Sequence, residues 1–359
     1  MSSSKTIGII GGGQLGQMMA ISAIYQGHKV VTLDPAANCP ASKVSQVIVA
    51  PYDDEAALRQ LAEQADVLTY EFENVDADTL DAVAELAALP QGTRLLRISQ
   101  NRIAEKEFLT EVGVNIAPYR IVRSAADLVD YGDFSTKRVL KTATGGYDGH
   151  GQVVIKDEAS LKEARQLADQ APCDCVLEDF VPFDKEISVL ISGNGHDVTV
   201  FPLQENIHRN NILAKTIVPA RLSAILAVQA EEMARKIATE IQLSGTLCIE
   251  MFVAGKELLV NEIAPRPHNS GHYSIEACNF SQFDTHILGV LGQELPTIKL
   301  HEPAVMLNVL GQDLEAAAAF VKEHPQAHLH LYGKEEAKHN RKMGHVTLLT
   351  EETDEVSLD

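Results

Sequence analysis

The chain has 359 residues, long for one hydrophobic core, so two or three domains are expected. Thirty Lys and Arg against 50 Asp and Glu leave a net charge of −20, which argues against nucleic acid or an anionic membrane as the main partner. No apolar run approaches the roughly 20 residues of a membrane helix, the first 13 residues hold too short an apolar core for a signal peptide, and the five cysteines show no paired CxxC spacing, so a cytoplasmic chain without a disulfide framework or zinc site is expected.

Residues 5–10 form a short apolar strand that runs into Gly11-Gly12-Gly13-Gln14-Leu15-Gly16, and an amphipathic helix follows to about Tyr25. The next strand is 30–33. Asp34 ends it eighteen positions after Gly16 (34 − 16), close to where a dinucleotide-binding unit places its ribose carboxylate, so an NAD-dependent oxidoreductase is one reading of this segment. By itself the glycine turn says only that a helix N-terminus can approach a strand and bind an anion. Helices 53–65 and 76–88 and the strand 66–70 complete an alternating α/β unit of about a hundred residues. Ligands of such a sheet lie beyond the carboxyl ends of its strands, which places Glu73 to meet one, while Glu71 and Asn74 are expected to cap helices.

Near residue 99 the pattern changes. Helix 101–112 carries Arg102 and Lys106 on one face; either can reach a phosphate, and for Lys106 a solvated basic face is expected. Strand 138–142 sets Lys141 among apolar residues, an ammonium that needs an anion to compensate its burial. The nine residues 144–152 that follow contain four glycines and join two strands; GxxxxGK[ST] is absent. Bare backbone N–H groups in such a loop can fold over a triphosphate, and its looseness suits a lid. After helix 158–170 an apolar strand stops at Pro182, a hinge whose edge offers backbone groups to a purine; Glu186, a few residues on, could accept from ribose hydroxyls, but by itself it reads as a surface residue. Strands 187–192 and 197–201, a polar stretch containing His208, and a long helix 222–241 come next.

Residues 247–263 read as a β-hairpin with its turn at Ala254-Gly255-Lys256. Glu250 and Glu262 have the same parity, so a turn centred on Gly255 or on Lys256 puts both carboxylates on one face, with Cβ atoms about 5 to 8 Å apart. Like charges so placed repel unless a cation lies between them, and oxygen-only ligands favour Mg²⁺. The alternative is a solvated face with two unrelated glutamates. Directly after the pair come Arg266, His268, Asn269 and His272, stiffened by Pro265 and Pro267; the arginine fork matches a planar oxyanion. Helix 281–291 follows, and from about 299 a small α/β tail with helix 314–323 ends in Lys334, Lys338, Arg341 and Lys342, an anion site or an exposed basic turn.

Lysine-bearing strand, glycine-rich strand loop, hinge and two-glutamate hairpin resemble, in that order, the ATP-grasp superfamily. GGGQLGQM, YEFENV, GGYDGHGQ, EDFV, NEIAPRPHNSGHYS and RKMGH are similar to the motifs of its 5-(carboxyamino)imidazole ribonucleotide synthase family, over about residues 7–348. The resemblance implies an α/β architecture of three domains: a Rossmann-like pre-ATP-grasp domain (1–99), an ATP-grasp domain (100–298, lid subdomain about 113–181) and a small C-terminal α/β domain (299–359). It implies a cytoplasmic homodimer of purine biosynthesis that joins bicarbonate to the 5-amino group of 5-aminoimidazole ribonucleotide with ATP and Mg²⁺. Carried over by position, ATP would be held by Arg102, Lys141, the loop Gly146, Tyr147, Asp148, Gly149, His150, Gly151 and Gln152, the hinge Glu178, Asp179, Phe180 and Val181, then Glu186, His208, Asn261 and Glu262. Glu250 and Glu262 would ligate Mg²⁺. Arg266, His268 and Asn269 resemble the bicarbonate site, Tyr147 and Asp148 join Glu73 at the aminoimidazole, and Lys334, Arg341 and Lys342 lie toward the ribotide phosphate. His150 stands where the family has Arg, and Ala264 stands where many relatives carry an amide metal ligand. The nearest alternative inside the superfamily is a formate-dependent glycinamide ribonucleotide transformylase, which bicarbonate-dependent against formate-dependent ADP release separates.

Overall fold

The computed structural model describes residues 4–128, 134–145 and 151–358. The chain opens with β1 (Thr6–Ile10), α1 (Gln14–Tyr25), β2 (Lys29–Asp34), β3 (Gln46–Val49), α2 (Glu55–Gln64), β4 (Val67–Tyr70), α3 (Ala77–Val83) and α4 (Arg94–Ser99). These strands form a parallel sheet in the order β3-β2-β1-β4. β1 and β4 are apolar almost throughout because helices cover both faces. On one face α2 and α3 bury Leu58, Leu61 and Leu80 against Leu33, Leu68 and Tyr70; on the other, Leu15 and Met19 of α1 meet Phe283 and Ile287 from much later in the chain. β3 and α4 were not expected. Helix α3 is shorter than 76–88: Asp76 caps its start by accepting from Thr79 N at 3.0 Å, and the chain turns at Ala84.

Next come α5 (Arg102–Val112), β5 (Tyr119–Val122), β6 (Arg138–Thr142), β7 (Gln152–Ile155), α6 (Glu158–Gln170) and β8 (Cys175–Asp179). Strands β5-β8-β6-β7 make a small antiparallel sheet covered by α6. The remainder is β9 (Lys185–Asn194), β10 (Val198–Val200), β11 (Gln204–Arg209), β12 (Ile212–Val218), α7 (Ala224–Glu240), β13 (Ser244–Ala254), β14 (Glu257–Ala264), α8 (Ser274–Ala277), α9 (Gln282–Val290), β15 (Ala304–Leu310), α10 (Leu314–Glu323), β16 (His328–Leu331) and β17 (Lys342–Leu349). They build the central sheet, ordered β14-β13-β9-β11-β12-β15-β17-β16 with β10 beside β9. The C-terminal tail is thus continuous with this sheet through the β12–β15 pairing. Among the described residues no helix is long and apolar enough to cross a membrane.

The hairpin register decides the site. The turn holds two residues, Gly255 and Lys256, so Ala254 pairs with Glu257 and Met251 with Val260. Continued unbroken, that ladder would set Glu250 against Asn261 and send Glu262 to the opposite face. Instead Asn261 is an extra residue, a β-bulge, and Glu250 pairs with Glu262. The expected shared face is correct, but a bulge produces it and the single-residue turn centre does not.

Candidate active site

The glycine turn after β1 is not free to take a ligand anion. Glu71, at the end of β4, accepts from Gly13 N at 2.6 Å and Gly16 N at 2.5 Å, so the protein's own carboxylate caps α1. A Cβ at Gly13 would lie 2.5 Å from Glu71 Oε1, which is why a side chain is excluded there. Asp34 is equally committed: it accepts from Gly12 N at 2.8 Å, Tyr52 Oη at 2.7 Å and Ala36 N at 2.8 Å. With pyrophosphate cradle and ribose carboxylate both filled from within, the dinucleotide reading is overturned. Glu71 is a cap, as expected, although the helix it caps is α1.

The face of the central sheet that carries Glu250 and Glu262 also carries Ser188, opposite Glu250 on β9, and Glu186 two residues before it. His208 Nδ1 contacts Glu186 Oε2. Burial alone would lower the His208 pKa, but Glu186 and the charges of Glu250 and Glu262 raise it on balance. Burial and the charge of Glu262 push the Glu250 carboxyl up, and the positive charges of His208 and Arg266 offset this only in part. Arg102 Nη1, from the first turn of α5, is 3.7 Å from Glu262 Oε2. One turn on, the buried Glu105 accepts from Ile263 N at 2.8 Å, and its carboxyl is pushed up to about 8, first by burial and then by Glu262.

Lys141 and Glu178 sit diagonally on one face of β6 and β8 and pair at 3.0 Å. Lys106 approaches the other Glu178 oxygen at 3.3 Å and is 1% exposed. Its expected solvated face is therefore wrong: α5 turns Lys106 inward because Glu178 supplies a buried counter-charge 72 positions away (178 − 106). The hinge is also corrected in part. The N–H of Asp179 bonds Pro118 O at 2.9 Å and that of Phe180 bonds Lys137 O at 3.1 Å, so these two amides are not available to a purine.

The loop after β14 folds back under the first sheet. Arg266 Nη2 lies 2.7 Å from Glu73 Oε1, joining two residues singled out from separate motifs. Burial opposes the Arg266 charge, and Glu73 more than restores it. Gln282, at the start of α9, clamps the His268 backbone, accepting from its N–H and donating to its C=O, both at 2.8 Å. The His268 ring packs between Ser270 Oγ (2.8 Å from Nδ1) and Glu250 Oε1 (3.4 Å from Nε2). Burial, reinforced by Arg266 and Lys342, holds its pKa well below the usual histidine range, so the imidazole is neutral. Arg266, Asn269 and Lys342 line a cavity of ≈ 320 Å³ together with Gln14, Leu15, Tyr52, Glu71 and Phe72. Tyr52 and Phe72 were missed; only the rule that ligands sit beyond strand ends pointed there.

His272 does not reach this cavity. It is fully buried and stacks on His345 at 4.6 Å, which stacks on His330 at 4.5 Å, tying the loop to β17 and β16. In the basic tail Lys342 alone of the cluster lines the cavity: Lys334 donates to Lys342 O at 2.9 Å, Arg341 to Glu336 O at 3.0 Å, and Lys338 pairs with Glu336 at 2.8 Å on the surface. Gly146, Tyr147, Asp148, Gly149 and His150 lie outside the described residues. Gly151 and Gln152 lead from there into β7.

A buried chain of hydrogen bonds, invisible in the sequence, supports the loop from the first sheet. Thr246 N donates to His286 Nδ1 at 3.0 Å, so Nε2 carries the proton and donates to Thr69 Oγ1 at 2.8 Å. Thr69 donates to Gln91 Oε1 at 2.5 Å, and Gln91 Nε2 donates to Pro265 O at 3.2 Å, next to Arg266.

Family models match in three consecutive stretches: a ribonucleotide synthetase preATP-grasp domain at 4–100, an ATP-grasp domain at 107–283 and a phosphoribosylaminoimidazole carboxylase C-terminal domain at 304–358. The N5-carboxyaminoimidazole ribonucleotide synthase of Staphylococcus aureus strain MRSA252 is 49% identical over 359 residues, covering 99% of this chain and 95% of its own. The crystal structure of the S. aureus synthetase complexed with ADP superposes with a TM-score of 0.93 at 48% identity, covering 99% of this chain and 95% of that one. The Aspergillus clavatus synthase in complex with ADP and 5-aminoimidazole ribonucleotide does so with a TM-score of 0.90 at 32% identity, covering 98% and 95%.

Proposed function

Because the chain belongs to the N5-carboxyaminoimidazole ribonucleotide synthase family of ATP-grasp ligases, we propose that it carboxylates the 5-amino group of 5-aminoimidazole ribonucleotide with ATP and bicarbonate. One observation carries the assignment of roles: Arg266, paired with Glu73, lines a single cavity with Asn269 and Lys342, and His268, two residues on, lies 3.4 Å from Glu250 of the hairpin pair. A cavity of this size suits a small ribotide.

In the reaction a bicarbonate oxygen attacks the γ-phosphorus of ATP, the bond to the β-phosphate oxygen breaks, and ADP leaves with carboxyphosphate formed. The 5-amino nitrogen then takes the carboxyl carbon, inorganic phosphate departs, and one amine proton is lost. Glu250 and Glu262 would hold Mg²⁺, which neutralises charge on the phosphates when bound. Arg102 and Lys141 face the transferred phosphoryl group with positive charge. Arg266, kept protonated by Glu73, orients bicarbonate through its fork, and Asn269 assists from the same wall. His268 is assigned to the bicarbonate wall beside Arg266 and Asn269 as a neutral ring, its Nδ1 accepting from the Ser270 N–H at 3.3 Å. Glu73, Tyr147 and Asp148 are assigned to the aminoimidazole, Lys342 to the ribotide phosphate, and the glycine loop to water exclusion over the short-lived carboxyphosphate. Glu186 and His208 belong to the nucleotide side of the site, with Asn261 at the bulge. A homodimer in the cytoplasm is part of the same proposal, and sedimentation velocity reads the assembly.

The test is ADP release with 5-aminoimidazole ribonucleotide, with and without bicarbonate. Release should require both; release driven by formate with a glycinamide ribotide would replace this reading.

A further inference from the structure

Cys248 precedes Glu250 by two residues on β13, so the two side chains share one face of the strand. There Cys248 Sγ, a Glu250 carboxylate oxygen and a His268 ring nitrogen all lie within 4.8 Å of one another. The sequence carries no paired-cysteine pattern; folding assembles this trio by bringing the loop after β14 over the hairpin. Ser270 stands behind it, with Oγ 2.8 Å from His268 Nδ1 and 3.9 Å from Cys248 Sγ, and it accepts from Ser188 Oγ at 2.9 Å. Cys248 is buried, whereas Glu250 and His268 each keep 16% of their side-chain surface, leaving the trio an approach from the site.

We propose that Cys248, Glu250 and His268 form a site for a borderline-soft divalent cation of the zinc class, and that its occupation shuts down the ligase reaction. The donor chemistry separates this site from the magnesium pair. Magnesium selects hard oxygen ligands and water, while one thiolate, one imidazole and one carboxylate suit zinc or cobalt. Bonds of about 2.0 to 2.3 Å in a tetrahedron put neighbouring donors about 3.3 to 3.6 Å apart. The 3.4 Å between His268 Nε2 and Glu250 Oε1 already meets that spacing, and the longest separation closes by about 1 Å through side-chain rotation. In the metal-free site Nδ1 accepts from the Ser270 N–H at 3.3 Å; ligation by Nε2 shifts the ring proton to Nδ1, where Ser270 Oγ at 2.8 Å is placed to accept it as the outer partner. The fourth position falls to water or a substrate oxygen.

The inhibitory consequence rests on the proposed function, because the cation would withdraw Glu250 from magnesium and His268 from the bicarbonate wall. Binding itself does not depend on that reading. Cys248 takes no part in the reaction as assigned, so replacing it separates the two.

The experiment uses the whole protein with buffered free metal. Cobalt(II) should give a near-ultraviolet thiolate-to-metal charge-transfer band in the wild type that is lost in both Cys248→Ser and Cys248→Ala. Zinc affinity, read by competition with a chromophoric chelator, should fall at least about tenfold in either variant. Both variants should keep wild-type turnover in magnesium alone and lose the zinc inhibition shown by the wild type. An absent band, or an equal band and equal zinc affinity in the variants, overturns the site. A Cys248-dependent band with full turnover in bound zinc overturns the inhibition; the bicarbonate requirement measured on metal-free protein given magnesium tests the ligase reading separately.

Discussion

Replacing Glu178 by Gln and, separately, Lys106 by Met perturbs one buried cluster in opposite senses. Lys106 and Lys141 flank the Glu178 carboxylate at 3.3 and 3.0 Å, with side chains 2%, 14% and 6% exposed, so the cluster holds two cations for one anion. At an effective dielectric of about 20, each pair attracts by about 5 kcal/mol before desolvation. Glu178→Gln leaves two ammonium groups without a counter-charge, and breaking a buried pair in this way costs about 3 to 5 kcal/mol. Lys106→Met removes the surplus cation, keeps the 3.0 Å pair and fills similar space, so it should cost no more than about 1 kcal/mol. Burial already lowers the Lys106 pKa, which marks this ammonium as the strained member. A bound triphosphate would supply the missing negative charge, so Mg-ATP should stabilise the wild type more than Lys106→Met. Urea unfolding at neutral pH, without and with Mg-ATP, measures both quantities. If Lys106→Met proves as damaging as Glu178→Gln, or gains as much from Mg-ATP as the wild type, the surplus-charge argument fails.

Arg266→Ala should lower bicarbonate-dependent ADP release by at least about 10²-fold, since a buried, oriented fork is lost; near wild-type turnover in a coupled assay would remove Arg266 from its role. Glu262→Gln should weaken Mg²⁺-dependent ATP binding, and an unchanged calorimetric affinity would refute its place as a ligand. Glu105 titrates at about 8 in the folded protein against an ordinary value of 4.5, so the native state holds a proton that the unfolded chain has already released. Its contribution to stability is present below about pH 4.5 and is lost as pH rises toward about 8, with a slope of at most about 1.4 kcal/mol per unit. Glu105→Gln should flatten that slope in urea midpoints measured across the window; an unaltered slope means Glu105 is ionised when folded. Gln91→Leu leaves the Thr69 hydroxyl without its acceptor and frees Pro265 O, which should cost about 1 to 3 kcal/mol and lower kcat with the KM for ATP unchanged. A loss confined to stability would reduce the chain from His286 to Pro265 to a packing role.

What the sequence discloses here is whatever local chemistry decides. Strand β6 and helix α6 match their expected bounds because the apolar run of the one and the Asp157–Ser160 capping box of the other are local to each segment. β3 escaped notice because its four residues bury only Ile48 and pair with β2 alone, and α4 because no side chain caps its start. The glutamate pair was legible as a pair, yet its shared face depends on a bulge at Asn261, a residue indistinguishable in sequence from its strand neighbours. Charges show the same division more sharply. Lys141 stood out because an ammonium in an apolar strand needs an answer, but nothing in one dimension names Glu178 as that answer or draws Lys106 into it.

That division bears on how an acidic chain binds anionic substrates. Of the cations gathered at the site, Arg266 is matched by Glu73, and Lys106 and Lys141 share Glu178. Arg102 only approaches Glu262, at 3.7 Å, and Lys342 reaches the cavity with no carboxylate ion-pair partner among the described residues. The uncompensated excess therefore lies at two points, one in the Lys106–Lys141–Glu178 cluster and one at Lys342 on the cavity wall. A nucleotide triphosphate and a ribotide phosphate each need one such point, and a net charge of −20 over the whole chain gives competing anions little reason to dwell on any other part of the surface.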